Sequence, residues 1–193
     1  MANIDRPNGF KFAKSLLGMA PNAMIRKYTA ADRSGDATGN HGDIYIGDPV
    51  KLVSGKVLPA NSNDTILGVC VAIGKSSAIE HGDGYFNADD LSLRYAPLAD
   101  ATGLIIAVMP AEGNIFEIQT AADLDLVAGS AADINLVANT AHGSRTSGNS
   151  TTELVADSNH DITVIEDVTT PGMDTTLVNA RHLVKFTDTV NTL

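Results

Sequence analysis

Short apolar runs separated by turn residues are the main pattern in this chain. The stretch 47–74 reads GDPVKLVSGKVLPANSNDTILGVCVAIG, and at its start valine and leucine alternate with Lys51 as in a half-buried strand. Ser54-Gly55 and the polar stretch 61–64 are turn signals that interrupt the apolar runs. The stretch therefore predicts short strands joined by tight turns.

The strongest predicted strand is Ile66–Ile73. Its larger side chains fall at odd positions, whereas the small residues Gly68, Cys70 and Ala72 fall at even positions. Because successive strand residues point to opposite faces, both faces of this strand are apolar. We expect a central strand with close packing on its small-residue face, and we expect Cys70 to be a small buried apolar residue.

Several other segments share this strand-like composition. They are Met24–Thr29, Leu91–Tyr95, Leu104–Met109, Ile115–Gln119, Ile162–Val168 and Arg181–Phe186. Polar, turn-rich stretches separate them at 32–43, 81–90, 110–114 and 142–150. Many short strands with such spacing predict an all-β fold, a compact barrel or sandwich body with long surface loops.

One internal repeat interrupts this pattern. Residues 121–128 read AADLDLVA and residues 131–138 read AADINLVA. In strands, the leucine and isoleucine side chains would face inward, and Asp123, Asp125 and Asp133 would point outward. Two short helical turns are the alternative, because alanine and leucine favour helix. We favour strands.

The N-terminus differs from the rest of the chain. Pro7, Gly9, Gly18 and Pro21 interrupt both helix and strand patterns, so residues 1–22 are predicted as an extended arm and residues 23–193 as the β-rich body. Residues 1–27 contain five basic residues and one acidic residue, a net charge of +4. The other 8 basic and 22 acidic residues give the remainder −14.

Composition excludes several classes of function. An acidic surface of this charge disfavours nucleic acid as a partner. No apolar run approaches the roughly 18 residues of a membrane span, so we expect no membrane partner. With one cysteine, the chain cannot form an internal disulfide framework or a cysteine-based zinc site.

The candidate chemical motifs do not meet their spacing requirements. Gly68 to Ser76 imitates a phosphate-binding loop, but it has five residues where that loop has four, and they are strand-forming. The stretch 157–168 begins like a calcium loop, but Ile162 and Val168 occupy the positions of its glycine and its glutamate. We therefore predict no catalytic residue, metal or cofactor, and expect the chain not to be an enzyme.

Segments along most of the chain resemble the head decoration, or cement, proteins of tailed double-stranded DNA phages, especially those of marine and cyanobacterial phages. They are MANIDRPNGFKFAKSLLG at the start, IGDPVKL, GKVLPA, ILGVCVAIG, Phe116–Gln119, Ser147–Leu154 and the closing Arg181–Phe186. The resemblance implies a β-rich body, often a homotrimer, on the outer capsid surface of the virion, which bridges major capsid subunits. It also implies synthesis in the cytoplasm of the host bacterium.

A capsid-binding arm is the site that follows from this resemblance and from the basic, apolar N-terminus. Its predicted contact residues are Arg6, Phe10, Lys11, Phe12, Lys14, Leu16, Leu17, Arg26 and Lys27. Two alternatives remain open: a head-fibre, tail or host-attachment protein, and a hydrolase that uses some of the 23 acidic residues.

Overall fold

A computed structural model describes residues 3–31, 42–76, 86–87, 93–97, 101, 103–135, 143–169 and 173–190. Within these ranges the chain forms one short helix, α1 (Pro21–Met24), and twelve strands. The strands are β1 (Lys11–Ser15), β2 (Arg26–Ala30), β3 (Pro49–Val53), β4 (Lys56–Pro59), β5 (Gly68–Ser76), β6 (Phe86–Asn87), β7 (Leu104–Pro110), β8 (Asn114–Gln119), β9 (Ala131–Ile134), β10 (Leu154–Val155), β11 (Ile162–Asp167) and β12 (Arg181–Phe186). The predicted all-β fold is confirmed.

The strands form two six-stranded sheets. One sheet has the order β1-β8-β12-β11-β9-β10, and all its pairings are antiparallel. We call it the open sheet, because β1 and β10 form its two ends. It combines the first strand of the chain with strands from the C-terminal half.

The second sheet has the order β3-β4-β2-β7-β5-β6. An additional pairing joins β3 to β5, with Pro49 opposite Val69 and Val50 opposite Gly68. The pairings of β3, β4, β2, β7 and β5 therefore form a closed ring of five strands, in which only the contact between β2 and β4 is parallel. We call this ring the barrel.

Two apolar cores follow from this arrangement. The barrel interior contains residues from all five of its strands, including Val50, Val57 and Ile106, each fully buried. The other core lies between the open sheet and the outside of the barrel, where Val69 and Met109 of the barrel join Phe116 and the other buried residues of the open sheet. The body is thus a sheet packed on a small barrel.

Strand β5 confirms the predicted central position, because it pairs with β3, β6 and β7. The predicted division of its faces is wrong. Cys70 and Ile73 belong to the barrel interior, whereas Val69 packs on the opposite side. A β-bulge between Cys70 and Ala72 shifts the register against β7, so the two-residue alternation does not continue through the strand.

The predicted close packing on the small-residue face is present at Gly68. A Cβ atom there would lie 2.1 Å from the carbonyl oxygen of Met109 on β7. The predicted turns are also present: Ser54 and Gly55, with φ of 50° and 78°, connect β3 to β4, and Asn63 has φ of 67° in the turn after β4. Cys70 is fully buried as expected, and burial, followed by the charge of Asp48, raises the pKa of its thiol.

The other strand predictions were mostly correct to within two residues. The predicted strand Met24–Thr29 begins two residues later, at Arg26, because Met24 ends α1. The exception is Leu91–Tyr95, where the described residues 93–95 are not in a strand. The repeat behaves differently in its two copies. Residues 131–134 form β9, whereas 121–128 are irregular, and residues 136–138 lie outside the described ranges.

Candidate protein-contact surface

The described part of the predicted arm, residues 3–22, lies against the body, and we call it the N-terminal segment. Gly9 has φ of +64°, and a Cβ atom there would lie 2.5 Å from the carbonyl oxygen of Gly47. The next residue, Phe10, donates its backbone N–H to that same oxygen at 2.8 Å. Only glycine allows both this backbone conformation and this close approach. The segment is therefore held directly against the loop that precedes the barrel strand β3.

The structure changes the interpretation of Phe10, which was predicted to contact the capsid. Its side chain is only 3% exposed and belongs to the core between the open sheet and the barrel. The ring centroid of Phe10 lies 4.7 Å from that of Phe186 and 6.3 Å from that of Phe116. Phe10 therefore binds its own chain in this structure, because the aromatic site that accepts it is formed by β8 and β12.

Strand β1 continues this packing along the open sheet. It pairs with β8, and Phe12 is half-buried against the same core, with its ring centroid 6.3 Å from that of Phe116. Lys11 and Lys14 are exposed. The Nζ of Lys14 lies 2.9 Å from Oε1 of Glu166. The predicted arm thus forms the end strand of a sheet, with its lysines on the surface.

Asn3 attaches the start of the described chain to the loop before β12. Its side-chain amide donates to the carbonyl oxygens of Asp174 at 2.7 Å and Val178 at 3.0 Å. Its Oδ1 accepts the backbone N–H of Asp174 at 2.9 Å. These three hydrogen bonds fix the direction from which the segment approaches the open sheet.

Gln119, at the end of β8, holds the next part of the segment. Its Oε1 accepts the backbone N–H of Arg6 at 3.0 Å, and its Nε2 contacts Oε1 of Glu153 at 2.7 Å and Oδ1 of Asp5 at 3.1 Å. Burial raises the pKa of Glu153, and the nearby charge of Asp5 raises it further. Two carboxylates therefore share one amide where the segment crosses the sheet.

An exposed apolar patch follows β1. Leu16, Leu17 and Met19 are 66%, 40% and 41% exposed. Leu16 donates its N–H to the carbonyl oxygen of Gly113 at 2.8 Å, and the Leu17 side chain covers Gly113, where a Cβ atom would lie 2.7 Å from Cγ of Leu17. The turn between β7 and β8 therefore holds the patch outward.

Basic residues lie on the strand that follows this patch. Arg26 and Lys27 begin β2 and are exposed. Arg26 donates to the carbonyl oxygen of Ala23 at 3.2 Å and lines a small cavity together with Leu17 and Met19. We call the exposed set the N-terminal surface: Arg6, Lys11, Lys14, Leu16, Leu17, Met19, Arg26 and Lys27.

A second cavity, of about 50 Å³, lies at the other end of β1. It is lined by the cationic residues Arg6, Lys11 and Arg181, by Glu117 and by neutral residues that include Gln119. Arg181 contacts Glu117 at 2.9 Å. Neither Arg6 nor Lys11 forms an ion pair within the described part of the chain.

Asp133, in the second copy of the repeat, accepts hydrogen bonds from the stretch 157–168 that resembles a calcium loop. Asp133, predicted to point outward, is 3% exposed and accepts hydrogen bonds from Ser158, from the N–H of Asn159 at 2.9 Å and from the N–H of Asp161 at 3.3 Å. Burial alone would raise the pKa of Asp133, but these hydrogen bonds lower it. Among the described residues, no group of three or more acidic, histidine or cysteine side chains could hold a metal ion.

His182 and Asp167 form a pair of titratable side chains of the kind that general bases use. Its Nδ1 lies 2.9 Å from Oδ1 of Asp167, and its side chain has no exposed surface. Burial lowers the pKa of His182 more than Asp167 raises it. A general base must reach the proton of its substrate, and this imidazole contacts no solvent. The pair therefore serves the packing of the open sheet in this structure.

The sequence interpretation missed Met19 of the N-terminal surface, and it missed Gln119 and Arg181, which line the cavity beside that surface. Met19 follows the apolar pair Leu16-Leu17 with one glycine between, so extending that apolar run would have identified it. Gln119 and Arg181 carry no local signal. They reach the N-terminal segment only through the pairing of β1, β8 and β12.

Comparisons with known proteins give no relative: no protein-family model, curated protein or solved structure matches the chain. Within the described ranges, none of the helical structure has the length and apolar character needed to cross a bilayer.

Proposed function

We propose that the chain is a virion structural protein that binds the outer capsid surface of a tailed phage and stabilises the shell by bridging major capsid subunits. The observation that carries this proposal is the N-terminal surface. It combines cationic side chains with exposed leucine and methionine on a protein whose formal net charge is −10. The resemblance of the sequence to capsid decoration proteins supports the same conclusion.

The charge distribution suits an acidic partner. The N-terminal 27 residues carry a net +4 and the remainder −14, so an acidic shell repels most of the protein and attracts this one surface. Screening limits that attraction to about 8 Å at physiological salt. Charge therefore sets the orientation of the encounter, and the affinity comes from short-range contacts.

The apolar patch supplies such contacts. Leu16, Leu17 and Met19 expose apolar surface, whose removal from water contributes about 25 cal/mol per Å². On a symmetric shell the same modest contact is repeated many times. The resemblance adds that the copies form a homotrimer, in which linked contacts raise the overall avidity. Light scattering of the purified chain measures that oligomeric state.

Co-sedimentation with expanded capsids tests the proposal. Because Phe10 belongs to the core, deleting the N-terminal segment would disturb the fold, and surface variants give a cleaner test. Leu16→Ser with Leu17→Ser should reduce capsid binding about tenfold or more, because buried leucines contribute roughly 1.5–3 kcal/mol each. The matched control is Leu52→Ser with Val53→Ser, since these residues are 37% and 43% exposed elsewhere on the surface.

Equal binding by both pairs of variants would contradict this use of the N-terminal surface. Imaging intact virions tests the location independently. Density for the chain at regular positions on the shell is expected, whereas density at a fibre or tail would favour an attachment function instead.

A further inference from the structure

We infer that the cationic cavity lined by Arg6, Lys11 and Arg181 binds a single oxyanion group, a carboxylate or a phosphate. The cavity lies where the N-terminal segment crosses β8 and β12. It brings together cations that are distant in sequence, because Arg6 and Lys11 come from the segment and Arg181 begins β12. Nothing in the proposed function requires this convergence.

The charges around the cavity are unbalanced. Three cationic side chains and one anionic side chain, Glu117, line it, which leaves an excess of two positive charges. Glu117 already contacts Arg181, so Arg6 and Lys11 have no ion-pair partner in the described ranges. Like charges that line one cavity repel one another. An anion between them removes that repulsion.

Two further carboxylates lie near the cavity but do not line it. Asp5 and Glu153 contact Nε2 of Gln119, and neither is among the residues that line the cavity. Gln119 is 4% exposed and its amide is held by several hydrogen bonds, so it forms a fixed polar wall. The wall of the cavity therefore carries a single carboxylate, that of Glu117.

The size of the cavity limits the ligand. Its volume is about 50 Å³. A water needs roughly 10–15 Å³ of such space, so the cavity admits a group of a few heavy atoms. It lies far below the roughly 300–1,000 Å³ typical of sites for whole drug-sized molecules. The arginine guanidinium presents a planar set of donors that matches a carboxylate or phosphate group.

Two sources could supply this group. Under the proposed function it is an aspartate or glutamate side chain of the capsid subunit, and this identification rests on that function. The other source is a free inorganic anion. Both share the chemistry of a small oxyanion, and two titrations distinguish them.

The test uses the full chain, labelled with ¹⁵N, and two probes added at constant ionic strength against sodium chloride. N-Acetylglutamate with its α-carboxyl blocked as the amide, used as the sodium salt, represents the carboxylate side chain, and sodium phosphate represents the free anion. Saturable shifts are expected for the amide signals of Gly9 and Gln119. Arg6→Gln with Lys11→Gln should weaken that binding about tenfold or more, the equivalent of losing one hydrogen bond to a charged group.

The matched control is Lys56→Gln with Lys185→Gln, which removes the same charge from exposed positions outside the cavity. The control should leave the shifts and affinity unchanged. No saturable response to either probe, or equal weakening by both pairs of variants, overturns the inference. Tighter binding of the blocked glutamate supports a side-chain ligand, and tighter binding of phosphate supports a free ion.

These outcomes are separable from the test of the proposed function. Probe binding without capsid binding keeps the cavity assignment and removes the capsid partner. Capsid binding that survives Arg6→Gln with Lys11→Gln, together with no probe response, keeps the proposed function and removes the cavity assignment.

Discussion

The barrel and the open sheet differ in how the edges of their strands are paired. The barrel closes on itself through the pairing of β3 with β5, and its five ring strands come from the single stretch 26–110. The open sheet does not close, and it recruits β1 from the N-terminus to cover β8. Closed rings remove edges, whereas the open sheet keeps two end strands, β1 and β10. Lys11 and Lys14 of the N-terminal surface lie on the β1 end.

The difference also separates local from distant packing. Barrel strands β3 and β4 are joined by a two-residue turn, whereas the core under the open sheet depends on Phe10 meeting Phe116 and Phe186. The barrel should therefore tolerate changes in the N-terminal segment better than the open sheet does.

Phe10→Ala is the most direct way to break this comparison. Truncating a buried phenylalanine costs about 3–5 kcal/mol, so urea unfolding should show a large loss of stability. Native-state hydrogen exchange should accelerate more in β1 and β8 than in β5 and β7. The half-buried Phe12→Ala is the control and should cost less. Equal acceleration in both regions would mean that they unfold as one unit.

Gly68→Ala tests the barrel by adding a methyl group, whereas Phe10→Ala removes a side chain from the core under the open sheet. A Cβ atom would lie 2.1 Å from the carbonyl oxygen of Met109, so β5 and β7 must move apart. Overpacking of this kind costs about 1–3 kcal/mol. Gly55→Ala, which meets no atom within 4 Å but has φ of +78°, isolates the backbone penalty of about 1 kcal/mol. A smaller unfolding free-energy loss for Gly68→Ala than for Gly55→Ala would contradict the close strand contact.

His182 gives the open sheet a pH dependence that the barrel should lack. Its pKa is lowered in the folded chain, so below its ordinary value of 6.5 the unfolded chain binds the proton more readily. The stability of the fold is therefore unaffected by His182 well above pH 6.5, and it decreases as the pH falls below 6.5 towards the lowered pKa of the folded imidazole.

The urea midpoint of the wild type should therefore decrease over that range. His182→Gln retains a hydrogen-bond donor for Asp167 but does not titrate, so its midpoint should decrease less. An equal decrease in both proteins would assign the acid sensitivity to other groups.

The smallest expected effect on stability is at the surface of the open sheet. Lys14 and Glu166 are 2.9 Å apart, but their side chains are 46% and 53% exposed. A double-mutant cycle with Lys14→Gln and Glu166→Gln should give a coupling free energy of about 0.2–1 kcal/mol. A coupling well above this range would mean that the lysines of β1 stabilise the sheet instead of remaining available to a partner.

The sequence predicted those parts of the fold that depend on local pattern. Strand periodicity identified most of the strands, and Ser54-Gly55 identified the turn between β3 and β4. The bulge after Cys70 could not be predicted, because it depends on the register that β5 adopts against β7. Asp133 was placed outward by alternation, and it is buried because Ser158 and its neighbours supply hydrogen bonds from a distant loop.

Only part of the candidate surface was predicted, because local composition shows charge and apolar residues but not distant contacts. Its lysines, arginines and leucines were visible as an N-terminal excess of charge and apolar residues. Phe10 was assigned to a partner because an apolar residue in a segment without helix or strand pattern gives no indication of what will bury it. The structure places Phe186 against it, and no local signal connects these two residues.

The contact between Phe10 and Phe186 also has a consequence for biosynthesis. A ribosome releases Phe10 well before β12, so the N-terminal segment cannot take its final place until β12 has been made. The barrel strands, which end at Pro110, are complete well before then. N-terminal units generally fold first during synthesis. Here Phe10 lacks its contact with Phe186 until β12 has emerged from the ribosome.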